Sequence, residues 1–163
     1  MENQRKMKLK PVDVFVYGTL KPGETNYQRY CADKVLTVKP AIAFGQLYHL
    51  PFGYPAMTAG ENRVQGFVLS FADAEILTHL DLLEDYNPHR PIKENEYYRQ
   101  QIDTYNLDLT FLTSAWAYFM TLKQVDHFGA NLLPDGWWSG CISNDDSTTR
   151  SYLNFTRDGS QLD

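Results

Sequence analysis

Residues 14–20 read Val-Phe-Val-Tyr-Gly-Thr-Leu, and Lys21, Pro22 and Gly23 follow directly. The β-branched and aromatic residues before Gly18 predict a buried strand, and the two glycines predict that this strand ends in a loop. Glycine adopts positive φ angles and allows close approach, so such a loop can turn its N–H groups toward a ligand. An ordinary strand and turn fits the same residues, and this segment alone leaves both interpretations open.

Length and composition indicate one folded domain. The chain has 163 residues, of which 43% are hydrophobic and 14% aromatic, enough to form a single core. The net charge of −5 argues against nucleic acid as a partner, because a phosphate backbone selects clustered Lys and Arg. The one basic cluster, Arg5, Lys6, Lys8 and Lys10, lies in a polar N-terminal leader and is expected to be solvated.

The sequence predicts a soluble protein of the cytoplasm. Cys31 and Cys141 are far apart and lack the spacing of metal ligands, as expected of reduced thiols. The histidines show no paired ligand spacing either, so no metal site is predicted. No apolar run approaches the roughly 20 residues of a membrane span, and no signal peptide is apparent. Monomer and homodimer remain equally open.

Turn residues and patterning divide the chain into three parts. Residues 1–10 are predicted to be a flexible leader, 11–130 a domain, and 131–163 a C-terminal extension that packs on the domain or is partly flexible. Several strands with one or two short helices, and no regular alternation, predict an α+β domain with a curled or closed sheet. Besides the first strand, strands are expected at Val35–Leu50 (two short ones or one bulged), Val64–Phe71, Tyr97–Tyr105 and Ser114–Leu122, and Asn26 is expected to cap a short helical turn.

One predicted helix, from Ala74 to about Glu84, presents an acidic residue to the core. At 100° per residue its Ile and Leu residues form an apolar stripe roughly 120° wide, and Glu84 lies inside it. Asp81 projects to the edge of this stripe and Asp85 nearly opposite it. Burial disfavours the charged form of a carboxyl group and raises its pKa toward the range of a general acid or base.

Two simpler interpretations of Glu84 remain open at this stage. The helix could fray before this residue, or Glu84 could form a structural ion pair with Arg90 or Arg99. Elsewhere, Trp137 and Trp138 could stack on a sugar, although adjacent aromatic residues more often pack in a core.

Four short motifs occur in order along the chain: Tyr17-Gly18-Thr19-Leu20 with Gly23, Tyr54-Pro55-Ala56, Leu80-Asp81-Leu82-Leu83-Glu84, and Tyr97-Tyr98-Arg99. In this order and spacing they resemble the γ-glutamylcyclotransferase-like superfamily, which includes AIG2-like proteins and γ-glutamylamine cyclotransferase. The resemblance covers roughly residues 12–122. It implies a small mixed β-barrel flanked by short helices, with a cavity at one mouth.

The resemblance also implies an activity. Such an enzyme releases 5-oxoproline and an amine from a γ-glutamyl compound, by attack of the substrate's own α-amino group and without a cofactor. The implied catalytic residue is Glu84, and the implied substrate-binding residues are Tyr17, Gly18, Thr19, Leu20, Tyr98 and Tyr118. A non-catalytic module that binds a small metabolite in the same cavity is the alternative.

This chain departs from the family pattern at two positions. Asp85 stands where many relatives have glycine, and Gln100 stands where many have a second arginine. A negative charge at Asp85 would raise the pKa of Glu84 further. The segment from Leu133 to Asp163 has no counterpart in the pattern.

Overall fold

A computed structural model describes residues 11–140; the predicted leader 1–10 and the last stretch, 141–163, lie outside the described residues. The described chain contains strands β1 (Val12–Val16), β2 (Val35–His49), β3 (Pro55–Phe71), β4 (Tyr98–Tyr105), β5 (Phe111–Phe119) and β6 (Asn131–Leu132). Its helices are α1 (Tyr27–Tyr30), α2 (Glu75–Leu83) and α3 (Leu122–Phe128), with a 3-10 turn at Ile92–Glu94. The expected α+β class is confirmed.

The strand pairings close on themselves. The sheet order is β3-β1-β5-β4-β2-β6, and β2 also pairs with β3, so five strands form a ring. β1 and β5 run parallel, whereas the other neighbours are antiparallel. The β2–β4 and β1–β5 junctions each consist of a single residue pair, Ile42 with Tyr105 and Val14 with Trp116, so they are the least extensively paired seams of the ring. The result is the small mixed barrel that the family resemblance implied.

Strand β1 is buried on both faces, which explains its almost continuous run of apolar residues. Val14 and Val16 pack in one core cluster with Leu80 of helix α2. Phe15 belongs to a second cluster, to which β2, β3 and β5 contribute mainly small residues such as Ala43. Because the helix covers the first face, the second cluster lies inside the ring.

The β2–β3 hairpin differs from its expected boundaries. The interrupted Val35–Leu50 region forms one bulged strand, with register shifts between Val35 and Thr37 and between Gly45 and Gln46. The next strand begins at Pro55 rather than Val64, because residues 55–58 pair with Gln46–His49 beyond the bulge. The exposed polar residues around Glu61 do not show the alternation that predicts a strand, because side chains at an exposed strand segment need not alternate in polarity. The sequence therefore did not indicate that the strand begins before Val64.

The ring has one end at which five chain segments meet. The C-terminal ends of β1 and β5 lie there because these strands are parallel, and the beginning of β4 joins them because β4 and β5 are antiparallel. Strand β3 also begins at this end, and the C terminus of helix α2 reaches it. Topology therefore gathers the Tyr17–Leu20 loop, Pro55, Glu84 and Tyr118 around one opening.

Residues 131–140 contact the barrel. Strand β6 pairs with Tyr48 and His49 of β2, and the N–H of Gln65 donates to the carbonyl of Gly136 (2.8 Å). The proposed division at residue 130 stays a prediction, and the state of 141–163 lies beyond the described residues. Within residues 11–140, the helices are too short or too polar to cross a bilayer.

Candidate active site

A cavity of about 200 Å³ occupies this end of the ring. Its walls come from the loop after β1, the start of β3, the C terminus of α2, the residues before β4 and the end of β5. The lining side chains include two carboxyl groups and several tyrosines: Phe15, Val16, Tyr17, Gly18, Thr19, Leu20, Asn26, Tyr54, Pro55, Leu83, Glu84, Glu96, Tyr97 and Tyr118.

The loop after β1 offers unpaired backbone donors. Among the hydrogen bonds of residues 11–140, none has the N–H of Gly18, Thr19 or Leu20 as its donor. The loop is nevertheless fixed, because the side chain of Asn26 donates to the Thr19 hydroxyl (2.9 Å) and its N–H donates to the Thr19 carbonyl (2.9 Å). Asn26 therefore braces the loop instead of capping helix α1 with its side chain, which corrects the expected helix cap. Buried N–H groups without partners are rare, so this loop is suited to a ligand oxygen.

The two glycines of this loop have different roles. Gly23 adopts a left-handed backbone with φ 91°, as glycine readily does. At Gly18 the constraint is space, because a Cβ atom would lie 2.6 Å from Cγ of Pro55. Only glycine fits where the loop crosses the start of β3.

Glu84 follows the last residue of helix α2 and caps its C terminus, and its N–H still donates to the carbonyl of Leu80 (2.9 Å). The helix therefore does not fray before this residue. The side chain is partly buried and lines the cavity. Burial, and then the nearby carboxylate of Glu96, raise the pKa of Glu84 to about 8.

The arginines that could have neutralised Glu84 have other partners. Arg99 pairs with Asp81 through Nε (2.8 Å) and Nη2 (3.1 Å), and Arg90 pairs with Asp85 (3.2 Å). Within residues 11–140, no salt bridge reaches Glu84. Asp85 itself has φ 55°, a left-handed backbone conformation that glycine adopts more readily than other residues. The pKa of Glu84 responds to Glu96 rather than to Asp85.

Hydrogen-bonded tyrosines hold the wall around Glu84. The Tyr17 hydroxyl donates to the carbonyl of Tyr118 (2.7 Å), and the Tyr118 hydroxyl donates to Asp81 (2.6 Å). The hydroxyl of Tyr97 donates to the carbonyl of Pro55 (2.6 Å). Burial raises the pKa of all three phenols, so each remains a protonated donor.

The structure does not bring Tyr98 to this cavity. Its ring stacks on Phe119 at a centroid distance of 5.8 Å and packs against the second core cluster. Tyr97 forms the wall instead, which corrects the expected placement of Tyr98. Neighbouring residues of an extended chain point to opposite faces, and the motif Tyr-Tyr-Arg alone does not reveal which tyrosine faces inward.

The sequence reasoning also missed Glu96 and Tyr54. The Tyr54 hydroxyl donates to Oε2 of Glu96 (2.5 Å), and both side chains line the cavity. Tyr54 belonged to a family motif, and Glu96 directly precedes another one. Their positions in or beside these motifs were the only sequence features that could have indicated a role in the site. The loop before β4 is irregular, so no periodicity indicates the direction of the Glu96 side chain.

The C-terminal residues of the described chain stabilise the glycine loop from behind. The Lys21 ammonium is buried, donates to the carbonyl of Trp138, and lies 3.6 Å from Oε2 of Glu24 and 4.2 Å from the Trp137 ring centroid. Glu24 in turn accepts from the N–H of Gly140 (3.1 Å). Both tryptophans are buried in the core clusters, so they do not form an exposed platform for a sugar.

Among the described residues, no group of three His, Cys, Asp or Glu side chains is placed to hold a metal ion. The polar groups that line the cavity are carboxyl groups, phenols, backbone amides, the Thr19 hydroxyl and the Asn26 carboxamide.

The family profile described as gamma-glutamyl cyclotransferase, AIG2-like, matches residues 14–140. A Vibrio cholerae protein named "Putative gamma-glutamylcyclotransferase" is 36% identical over 128 residues, which cover 77% of this chain and 93% of the relative. A Drosophila melanogaster protein with a similar name is 29% identical over 117 residues, covering 66% of this chain and 68% of that protein. The chain belongs to the AIG2-like gamma-glutamyl cyclotransferase family.

Solved structures show the same fold. An AIG2-like protein from mouse superimposes with a TM-score of 0.60 at 19% identity, covering 80% of this chain and 89% of that one. YkqA from Bacillus subtilis superimposes with a TM-score of 0.57 at 22% identity, covering 78% of this chain but 39% of that longer protein.

Proposed function

We propose that this protein is a γ-glutamylcyclotransferase that releases 5-oxoproline and an amine from a γ-glutamyl compound in the cytoplasm. One observation carries the proposal: a carboxyl group with a pKa of about 8, Glu84, lines the same cavity as the unpaired amides of Gly18, Thr19 and Leu20. A general acid/base near working pH and a set of fixed N–H donors are what acyl transfer requires.

The reaction is intramolecular, which limits what the protein must supply. The substrate's α-amino nitrogen attacks the γ-amide carbon, the new C–N bond closes the five-membered ring, and the original C–N bond breaks. Well-oriented intramolecular reactions reach effective molarities of about 10⁵ to 10⁸ M, so folding the substrate is a large part of catalysis. No cofactor is needed for these steps.

Two roles follow for the cavity residues. Glu84 accepts one proton from the substrate's ammonium group and donates it to the departing nitrogen. After the attack the ring nitrogen loses a second proton, which Glu84 passes to the released amine, so the amine leaves as an ammonium ion and Glu84 ends the cycle unchanged. The amides of Gly18, Thr19 and Leu20 stabilise the negative charge on the carbonyl oxygen of the tetrahedral intermediate. The walls formed by Tyr17 and Tyr118 keep the γ-glutamyl chain bent toward Glu84.

The test is production of 5-oxoproline by purified protein. We would incubate it with γ-glutamyl dipeptides, γ-glutamyl-lysine and glutathione and detect the product by mass spectrometry. Glu84→Gln keeps the shape of the side chain but removes its proton transfer, and we expect turnover to fall by about 10² to 10⁴. Asp85→Asn is the matched control, since this neighbouring acid is exposed and outside the cavity lining.

The outcomes separate the proposal from its alternative. Turnover that survives in Asp85→Asn and disappears in Glu84→Gln supports the assignment. Near-normal turnover in Glu84→Gln removes this residue from the chemistry. If wild-type protein binds a panel compound without consuming it, the cavity belongs to a binding module instead.

A further inference from the structure

The cavity carries more negative than positive charge. Glu84 and Glu96 both line it, and among its described lining residues none is Lys, Arg or His. Within residues 11–140, neither of these two carboxyl groups has a salt-bridge partner. A ligand that fits this cavity is therefore expected to bring a positive charge.

Glu96 is held in place by its backbone. Its N–H donates to the carbonyl of Asp85 (3.2 Å), which joins the residue after Glu84 to the loop that leads into β4. The neighbouring Asn95 is buried and accepts from the N–H of Asn87 (2.9 Å) and from Nε of Arg90 (2.9 Å). This loop is thus fixed, and the backbone of Glu96 is held close to the C terminus of helix α2.

The Glu96 side chain is held as well, but only through one oxygen. Oε2 accepts the hydrogen bond from Tyr54 (2.5 Å). Within the described chain, no hydrogen bond is donated to Oε1. A carboxylate that is oriented by a phenol and has its second oxygen available to accept a hydrogen bond is a suitable partner for an ammonium group.

The other charged and titratable groups around this pair are accounted for. The phenols of Tyr17, Tyr54, Tyr97 and Tyr118 face Glu84 from the glycine loop, the β3 side, the β4 side and β5. The nearby acids have arginine partners of their own, Asp81 with Arg99 and Asp85 with Arg90. Within residues 11–140, no Lys, Arg or His forms a salt bridge with Glu96.

We propose that Glu96 binds the α-ammonium group of the γ-glutamyl substrate and holds the reacting nitrogen beside Glu84. This inference rests on the proposed function, because it assigns one part of that substrate to one carboxylate. Glu84 then takes the proton from the held ammonium, and the freed amine attacks the γ-carbonyl carbon. Glu96 is a substrate-binding residue and transfers no proton.

The experiment compares two ligands that differ only in the α-amino group. Both are measured by calorimetry on Glu84→Gln, which prevents turnover: γ-glutamyl-alanine carries the ammonium, and glutaryl-alanine lacks it. Adding Glu96→Gln should weaken the binding of γ-glutamyl-alanine about 10- to 100-fold, which corresponds to the loss of a hydrogen bond to a charged group. Binding of glutaryl-alanine should change by less than about threefold.

Matched variants distinguish recognition from a structural effect. Glu94→Gln removes an exposed acid two residues away and should leave both affinities unchanged. Tyr54→Phe keeps the Glu96 charge and should weaken γ-glutamyl-alanine less than Glu96→Gln does. An equal loss for both ligands, or no loss for either, overturns the assignment of Glu96. Failure of both ligands to bind Glu84→Gln also contradicts it.

A kinetic measurement gives an independent readout. With Glu84 intact, Glu96→Gln should raise KM more than it lowers kcat, and it should move the acidic limb of kcat/KM to lower pH because the negative charge beside Glu84 is gone. An unchanged pH profile in an active Glu96→Gln variant would contradict the role of Glu96 but not the proposed function. Wild-type protein that produces no 5-oxoproline would contradict the proposed function, while the two-ligand comparison still reports on the ammonium site.

Discussion

The Tyr17 hydroxyl donates a 2.7 Å hydrogen bond to the main-chain carbonyl of Tyr118, although 101 residues separate the two in sequence. The same oxygen accepts from the N–H of Met57 (3.2 Å), so one buried phenol joins β1, β3 and β5. The parallel pairing of β1 and β5 makes this contact possible, because it brings both strand ends to the cavity. The glycine loop therefore begins from a point that three strands hold.

The pH dependence of turnover follows from Glu84. A general base works only when ionised, and the pKa of this carboxyl is raised to about 8 in the free protein. We expect kcat/KM to increase as pH rises through this value, because kcat/KM reports on free enzyme. Initial rates across the range, with Asp85→Asn as the control, check this. A rate that is already maximal and flat in mildly acidic solution would contradict it.

Stability is expected to change in the opposite direction with pH. Below the ordinary carboxyl pKa of 4.5, the folded and unfolded chains both keep the Glu84 proton, so this group does not make the free energy of unfolding depend on pH. Between 4.5 and about 8, only the folded chain keeps it, and the free energy of unfolding falls as pH rises.

Glu84→Gln removes this titration, and the variant should be more stable than wild type by about 1–3 kcal/mol on the alkaline side of this range. Urea denaturation at acidic and alkaline pH measures the difference. Glu94→Gln, which changes an exposed acid, should show no such pH-dependent gain. A Glu84→Gln variant no more stable than wild type at alkaline pH argues that this carboxyl is not desolvated.

Gly18→Ala tests the contact between the loop and β3. The added methyl group would lie 2.6 Å from Cγ and 3.0 Å from Cδ of Pro55, so the loop must move. We expect an overpacking cost of about 1–3 kcal/mol and at least a tenfold loss of turnover, because the loop amides shift with it.

Gly53→Ala is the comparison for this effect. Its φ of 97° strains an alanine, but no atom lies within 4 Å of the added Cβ. It should lose about 1–3 kcal/mol of stability and keep its turnover. Equal loss of turnover in the two variants would show that strain alone, rather than loop position, reduces activity.

Lys21 tests the support behind the glycine loop. Lys21→Met removes a buried ammonium from Glu24 (3.6 Å) and from the Trp137 ring (4.2 Å). Breaking one side of a buried charge pair typically costs about 3–5 kcal/mol, because the other charge stays buried.

The double variant Lys21→Met/Glu24→Gln should lose less stability than the two single losses added together, since it removes both charges. Thermal unfolding of all four proteins gives the coupling. Strict additivity would show that these two side chains do not act as a pair.

Local sequence pattern was sufficient to orient Glu84. Helical periodicity places this residue in the apolar stripe of α2, and that placement depends only on the 3.6-residue repeat of the helix. The buried strand that leads into Gly18 was likewise predicted, because β1 is apolar on both faces. The short motifs around these residues were enough to indicate the barrel and the family.

Tertiary structure decided which groups meet Glu84. Adjacent Tyr97 and Tyr98 point to opposite faces, and only the register of β4 against β5 determines which one enters the cavity. Glu96 lies in an irregular loop whose course depends on the buried Asn95 and on the carbonyl of Asp85, contacts that no periodicity encodes. The sequence thus determined the direction of side chains on regular elements, whereas long-range packing determined their partners, because partners arise from strand register and loop contacts between distant parts of the chain.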